Sequence, residues 1–335
     1  MVAMPPVMSD RKSARILSRS GNLLLAIVAL PAGLFASSIV PAAGPYNVFV
    51  LNNFTAATSD VQGGLAAGGN INISSYSVGS NLTAGDISSF PSGYTLVAGG
   101  SLTAGPGTLF FGNAFGNTTS LTSFTLNDGS LTTGGTPPVN FAAAATQADS
   151  LSTTLAGMSS TPGDSCVLAA TTVTCNAAAD GLNVINVADP SIFDGNTINV
   201  TSSGSNVTLV INVPGASDTF GGGGFTAFLN GTTLLFNYYQ ATNIQLGDTG
   251  YTTSLLAPLA TVLGDSGGQF NGTFVAASFG GGQIEFHNTD TFTPQFSLNP
   301  EPSSLSLAAI GGALMLFAAM FLARRRRRGA APPLA

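Results

Sequence analysis

The sequence predicts a mainly β fold: a β-solenoid-like exported domain with one packed α-helix, followed by a C-terminal transmembrane helix. Short apolar patches bounded by Gly or Asn recur along the 335 residues, which include 42 glycines. The motif Leu82-Thr-Ala-Gly85 returns as Leu102-Thr-Ala-Gly105 and loosely as Leu131-Thr-Thr-Gly134. A spacing of about 20 residues fits one coil of a β-helix. A β-sandwich is the alternative, because the same strands could form two packed sheets.

Short strands with one apolar face are the main element. In residues 196–201 and 206–213, apolar and polar side chains alternate, as they do when every second residue faces a core. Residues 46–54 have the composition of an opening strand. Because apolar residues recur throughout and charged residues make up only 7% of the chain, we expect a folded domain rather than a disordered one.

One helix, at about residues 140–157, interrupts the β pattern. Asn140 is suited to cap its start and Gly157 to end it. Apolar residues recur between them at helical spacing, at Phe141, Ala144, Ala145, Ala148, Leu151 and Leu155. A helix of such small side chains is weak alone, so its apolar stripe is expected to pack against the β-body.

The N-terminus has the layout of a secretory signal peptide over residues 1–43. An apolar segment at 23–30 follows four basic residues, which are Arg11, Lys12, Arg15 and Arg19. Small residues at 42–43 suit cleavage there. The β-rich domain is then expected to span residues 44–298.

The C-terminus, residues 299–335, combines three features in a fixed order. Pro300, Glu301 and Pro302 come first, and an uncharged apolar run at 305–323 follows. Directly after the run comes a block of five arginines, Arg324, Arg325, Arg326, Arg327 and Arg328. About 20 apolar residues can cross a membrane, and arginines beyond them stay cytoplasmic. Everything before the run is therefore expected to be exported.

This tail resembles the PEP-CTERM sorting signal of Gram-negative bacteria. The resemblance implies an exosortase-type membrane processing enzyme as a partner. It also implies a chain anchored in the cytoplasmic membrane before processing and found in the cell envelope or extracellular matrix afterwards. An ordinary single-pass anchor is the alternative.

The charge distribution restricts the partners of the domain. All nine Lys and Arg residues lie at or before Arg19 or at or after Arg324, so residues 20–323 contain neither type. A domain without these cations cannot neutralise phosphates. Nucleic acid and anionic lipid headgroups are therefore excluded as partners of the domain.

Two blocks near the ends of the exported part resemble one family. The first comprises residues 59–70 and Tyr76-Ser-Val-Gly79, and the second comprises residues 255–262, 268–279 and 285–288. Both are similar to the choice-of-anchor A domain of bacterial surface proteins. The resemblance implies a structural or adhesive role at the cell surface or in a biofilm matrix, with extracellular polysaccharide or other surface proteins as partners. It supplies no catalytic residues. The second block is also similar to the last strands of microbial ice-binding β-solenoids.

Cys166 and Cys175 bracket eight residues that could fold back as a hairpin. In an oxidising export compartment a disulfide between them is expected. Two thiols and the distant His287 do not make a metal site. No cofactor is expected. Structural calcium is the less favoured alternative: an acidic exported domain suits this metal, but the sequence contains no calcium-loop spacing.

The residues do not indicate an enzyme. His287 lacks a nucleophile motif, and if it alternates with Glu285 on a strand the two form a polar pair. A glycoside hydrolase needs only two carboxylates, which keeps that less favoured function open. Carbohydrate binding and ice binding stay open as well. Ice binding would need regular threonine ranks, and stacking on sugars would use aromatic residues such as Phe225, Phe228, Phe236, Tyr238 and Tyr239.

Overall fold

Strands stacked coil upon coil form the body of the protein. The computed structural model describes residues 39–228 and 233–289. Before the helix, the strands are β1 (Val48–Val50), β2 (Phe54–Val61), β3 (Leu65–Ala67), β4 (Ile71–Val78), β5 (Tyr94–Ala104), β6 (Gly107–Leu109), β7 (Asn113–Leu121), β8 (Phe124–Leu126) and β9 (Leu131–Thr133). The helix α1 spans Phe141–Ala156, and short 3-10 helices lie at Pro41–Ala43, Asp86–Ser89, Pro91–Gly93 and Pro190–Phe193.

The strands after the helix complete the coils. They are β10 (Ser165–Ala169), β11 (Thr172–Ala177), β12 (Gly181–Asn186), β13 (Thr197–Ser202), β14 (Val207–Val213), β15 (Ser217–Phe220), β16 (Phe225–Phe228), β17 (Thr233–Tyr238), β18 (Asn243–Leu246), β19 (Gly250–Thr252), β20 (Ser254–Leu263), β21 (Gln269–Asn271), β22 (Phe274–Gly280) and β23 (Glu285–His287). Their ladders are parallel apart from the β10–β11 hairpin.

The solenoid has three faces. The first face stacks β12, β14, β17, β20, β22, β1, β3, β5, β7 and β9. The second face stacks β15, β18 and the later halves of β20 and β22, then the starts of β2 and β4 and the ends of β5 and β7. The third face contains β10, β11, β13 and β16, and separately β19, β21, β23, the ends of β2 and β4, β6 and β8.

The chain enters the stack in its middle. Strand β1 pairs with β3 on one side and with β22 on the other, so the last coil lies directly beside the first. From β1 the coils run outward to β9. After α1 they begin again with β10 to β12 at the other end and return to β22 and β23. The two blocks that carry the family resemblance are therefore neighbours in space.

These strands confirm the predicted solenoid-like fold with one helix, and the β-sandwich alternative is wrong. Two details predicted from the sequence need correction. The expected strand at 46–54 is split, because the chain bends after Val50 and β2 begins only at Phe54. The Leu-Thr-Ala-Gly repeat is not a structural repeat, since Leu82 lies in a loop while Leu102 and Leu131 lie on different faces.

Helix α1 packs on the first face. Its N-cap Asn140 accepts a hydrogen bond from the Ala143 N–H at 3.0 Å, as predicted. Ala144, Ala148 and Leu155 are fully buried and share an apolar cluster with outward residues of the first face. Sixteen residues span about 24 Å, which is enough to cover several coils. The weak helix is thus held by tertiary contacts.

An asparagine ladder fixes the end of α1. Asn212 stacks on Asn237, whose Nδ2 donates to the Asn212 Oδ1 at 2.8 Å. Asn237 also exchanges two hydrogen bonds with Ser152, at 2.6 and 2.9 Å, and Asn212 donates to the Leu155 carbonyl at 2.7 Å. Buried amides need such partners. The ladder therefore sets both the position and the register of the helix.

Candidate functional site

The predicted site residues fall into two groups. Pro300, Glu301, Pro302 and the arginines 324–328 lie outside the described residues, as do the signal segment and the apolar run at 305–323. Within the described residues, no helix is long and apolar enough to span a membrane. Cys166 and Cys175 lie opposite each other in the β10–β11 hairpin and are joined by a disulfide that closes the hairpin.

A continuous row of polar residues runs across the second face. Ladder registers and hydrogen bonds place one outward residue from each of eight neighbouring strand segments side by side. We call this the first rank; it comprises Ser217, Asn243, Thr261, Ser278, Asn53, Asn70, Ser101 and Thr118. At about 4.8 Å between strands, the first rank is about 34 Å long.

A second rank lies two residues further along each strand. It comprises Thr219, Gln245, Leu263, Gly280, Thr55, Asn72, Thr103 and Ser120. Leu263 and Gly280 interrupt the polar character near the middle, whereas its last four residues are polar and exposed. None of those four makes a side-chain hydrogen bond with another described residue. We call the two ranks together the polar face.

Alternation along each strand explains why the polar face forms. Phe54, Ile71 and Leu102 stack inward in one buried column, so the residues on either side of each must point outward. The outward side chains are Asn, Thr or Ser. The sequence thus places apolar groups in the core and hydroxyl and amide groups on the surface, strand after strand.

The first rank is tied to the backbone. The Asn53 Oδ1 accepts from the Asn70 N–H at 2.8 Å, and the Asn70 Oδ1 accepts from the Ser101 N–H at 2.8 Å. Each amide therefore satisfies a backbone donor where the next coil turns onto the second face. These hydrogen bonds hold the middle of the first rank in place. In the second rank, Gln245 donates to two backbone carbonyls, whereas Thr55, Asn72, Thr103 and Ser120 keep their side chains available to a partner.

The far edge of the polar face is set by a local backbone feature. Thr58 and Ser75 have positive φ values of 58° and 50° at the points where β2 and β4 turn from the second face to the third. Non-glycine residues pay about 1 kcal/mol or more for this conformation. Its recurrence in neighbouring coils keeps the corner aligned, and thereby the ranks beside it.

The polar face carries no formal charge, because neither rank contains Asp, Glu, Lys, Arg or His. It can donate and accept hydrogen bonds with a neutral partner over many repeats. Hydroxyl and amide groups at a regular spacing suit an extended polymer or another polar surface. Neither rank holds an acid or a base that could activate one of these hydroxyl groups as a nucleophile.

Of the aromatic residues considered for sugar stacking, those with buried rings serve the core instead. Phe236 and Tyr238 are fully buried. The Phe225 ring lies 6.2 Å from the ring of Phe220 and is half-buried. Tyr239 is half-buried, and the side chain of Phe228 lies outside the described residues. Stacking of sugars on this group is therefore not supported.

His287 and Glu285 form the polar pair that their alternation predicts, with 3.2 Å between Nε2 and Oε2. Nearby, Ser80 donates to the Asp60 Oδ2 at 2.7 Å. Burial, followed by the charge of Glu285, raises the pKa of Asp60. Burial also opposes ionisation of Glu285, but the hydrogen bond and charge of His287 outweigh it and lower the pKa of Glu285. Among the described residues, no three His, Cys, Asp or Glu side chains are placed to hold a metal ion.

Asp218 is a buried acid that reasoning from the sequence missed. It points into the core from β15 and accepts a hydrogen bond from the Tyr238 hydroxyl at 2.5 Å. Burial, assisted by the neighbouring Asp194 carboxylate, raises the pKa of Asp218 to about 8. The only sequence signal is an Asp at an inward position of an alternating strand. Buried and hydrogen-bonded to a core tyrosine, it is a structural group.

Comparison with known proteins identifies the family. Residues 40–288 match the family described as "Putative Ice-binding-like adhesive domain". The chain belongs to this family. No curated protein matches it. Among solved structures, an ice-binding protein from the Antarctic ascomycete Antarctomyces psychrotrophicus is similar, with 14% identity over 77% of this chain and 98% of that one and a TM-score of 0.32. That likeness is too weak to support an argument about function.

Proposed function

We propose that this chain is an exported, non-enzymatic adhesive protein of the cell surface or extracellular matrix, and that the polar face is its contact surface. Membership of an ice-binding-like adhesive domain family supports an adhesive role. The observation that carries the proposal is the uncharged first rank, which continues without interruption across eight strand segments. Its partner is then an extracellular polysaccharide or a polar surface of another protein.

Ice is a less suitable partner for this surface. The second rank contains threonine at only three of its eight positions, and Asn, Gln, Ser, Leu and Gly interrupt them. A mixed rank of amides and hydroxyls offers donors and acceptors in varied geometry, which suits sugar hydroxyl groups. Measurement of thermal hysteresis of the purified protein distinguishes the two partners, and a clear hysteresis gap would favour ice.

The test of adhesion uses matched threonine pairs. Thr55→Val with Thr103→Val removes two exposed hydroxyl groups from the polar face. Thr174→Val with Thr226→Val does the same on the third face, where both residues are also exposed. Each lost hydrogen bond is worth about 1 kcal/mol, so the first pair should weaken binding to purified host extracellular polysaccharide about 30-fold. The second pair should bind like the wild type. Equal binding by both double variants would contradict the proposal.

We also propose that the protein reaches the surface through its termini. Residues 1–43 would direct export, and the 299–335 tail would hold the chain in the cytoplasmic membrane until an exosortase-type enzyme processes it. Support comes from the order Pro-Glu-Pro, apolar run and arginine block in the sequence. The test is the C-terminal mass of the protein recovered from its host. Loss of the segment after Pro302 is expected, whereas an intact arginine block would indicate a plain membrane anchor.

A further inference from the structure

A pocket of about 300 Å³ opens at the corner between the third and first faces, away from the polar face. Its walls come from the segments before β1 and β3, the loop after β4 and the residue that follows β23. The side chains that define its chemistry are Asn47, Asn81, Asp86, Ser89, Phe90 and Asn288. The volume is at the lower end of the range of about 300–1,000 Å³ for small-molecule sites, so it suits a ligand of about one ring.

Amide groups dominate the pocket, and two of them are already aligned. The Asn81 Nδ2 donates to the Asn288 Oδ1 at 2.8 Å, which fixes both side chains at the mouth. Asn47, which is 2% exposed, donates from Nδ2 to the Gly272 and His287 carbonyls at 2.6 and 3.0 Å. Its Oδ1 has no partner among the described residues. That atom is enclosed by protein, so Asn47 forms a fixed part of the wall. The more accessible amides of Asn81 and Asn288 are the ones that a ligand can reach.

Gly63 keeps the floor of this pocket open. A Cβ atom at position 63 would lie 2.7 Å from the Asn47 Cβ and 3.1 Å from the Asn288 Cβ. Gly63 has an ordinary φ, so backbone conformation does not require glycine there. The close approach of Asn47 and Asn288 is what requires glycine at this position. Glycine at this position therefore allows both amides to converge on one cavity.

Charge selects among ring-sized polar ligands. The Thr83 hydroxyl and N–H both donate to the Asp86 Oδ2, at 2.7 and 2.8 Å, and these two hydrogen bonds lower the pKa of Asp86. Asp86 is therefore ionised at neutral pH. No Lys or Arg exists between residues 20 and 323 to offset its charge. An anionic ligand would be repelled, whereas a neutral polyol could accept from the amides and donate to the carboxylate.

We propose that this pocket binds one neutral sugar ring, a hexose or an N-acetylhexosamine, and discriminates against uronic acids. Amide and carboxylate groups pair with the hydroxyl groups of such a ring, and Phe90 provides an apolar part of the wall for its C–H groups. The inference goes beyond the proposed adhesive function, because the pocket lies at a different corner of the solenoid and uses none of the residues of the polar face.

The experiment is a saturation-transfer NMR titration of the full chain with four sugars: D-glucose, D-galactose, N-acetyl-D-glucosamine and D-glucuronic acid. At least one of the three neutral sugars should bind, and glucuronic acid should bind at least tenfold more weakly. Asn81→Leu should reduce the affinity for the neutral sugar at least tenfold, because it removes an aligned amide and occupies the mouth. Asn127→Leu is the matched control and should bind normally, because Asn127 is exposed after β8 and belongs neither to the pocket nor to the polar face.

A second variant is expected to gain affinity for glucuronic acid. Asp86→Asn keeps an acceptor for the Thr83 donors but removes the negative charge, so it should bring glucuronic acid to within about threefold of the neutral sugar. The inference is overturned if none of the neutral sugars binds at 50 mM, if Asn81→Leu binds as well as the Asn127→Leu control, or if Asp86→Asn leaves the discrimination unchanged. Failure here would leave adhesion through the polar face intact, since Thr55→Val with Thr103→Val tests that surface separately.

Discussion

The buried acid Asp218 predicts an unusual dependence of stability on pH. Its carboxyl group lies among aromatic rings, with the Tyr238 hydroxyl as a donor and Asp194 as a neighbouring carboxylate. The replacement Asp218→Asn mimics the protonated acid, because the amide can still accept from Tyr238 and can donate toward Asp194. The variant therefore removes the titration while retaining the shape and the hydrogen bonds of the site.

The size of the effect follows from the two pKa values. The pKa of Asp218 is raised from 3.8 to about 8 in the folded protein. Between these values the folded chain holds a proton that the unfolded chain has lost, so the free energy of unfolding decreases as the pH rises. The stabilising contribution is complete below about pH 4 and is lost as the pH rises through about 8. Each pH unit in this window lowers the free energy of unfolding by about 1.4 kcal/mol, which gives about 3 kcal/mol between pH 5 and pH 7.

Urea denaturation at pH 5, 7 and 8.5 measures this effect. Because Asp60, Glu285 and other groups also titrate, the informative quantity is the difference between the wild type and Asp218→Asn. The wild type should lose about 3 kcal/mol more than the variant from pH 5 to 7, and the variant should be the more stable protein at pH 8.5. Parallel stability curves for the two proteins would refute the assignment of a neutral, buried Asp218.

Three further predictions concern other parts of the chain. Cys166→Ser with Cys175→Ser opens a loop with a sequence separation of 9 and should lower the free energy of unfolding by about 2–3 kcal/mol in urea denaturation, an effect absent when both proteins are reduced. Asn237→Ala leaves the buried groups of Ser152 unpaired and should cost about 3 kcal/mol, whereas the exposed control Asn72→Ala should stay within about 0.5 kcal/mol. Replacing the arginines 324–328 by glutamine should impair membrane retention or sorting, as judged by cell fractionation; normal sorting would count against a role for the block.

Local sequence patterns were sufficient to predict some of the elements. Alternation predicts β13 and β14 within one residue, and the cap residues Asn140 and Gly157 predict both ends of α1. The solenoid was also predicted, but the Leu-Thr-Ala-Gly repeat that supported it does not correspond to stacked coils. In the structure Leu102 stacks on Ile71, and Leu131 stacks on Ala114. The coils differ in length because loops of different size are inserted at their corners. Similar sequence motifs therefore need not occupy corresponding places in successive coils.

The order of the coils could not be read from the sequence. Parallel strands distant in sequence can pair in many registers, and nothing local specifies that β22 lies beside β1. For the same reason the polar face could not be assembled from the sequence. Asn53 and Ser278, which are neighbours in the first rank, are 225 positions apart in the chain. Asp218 was missed because a single inward acid has no signal until the rings around it are known.

Adhesion through the polar face is tested by returning the variants to the host. Cells expressing Thr55→Val with Thr103→Val, cells expressing Thr174→Val with Thr226→Val, and wild-type cells are compared for attachment to a polysaccharide-coated surface, with equal amounts of exported protein verified in each. Attachment should fall only in the first strain, because only that pair removes hydroxyl groups from the polar face. Undiminished attachment in that strain, or an equal loss in both, would contradict the claim that this face makes the adhesive contact.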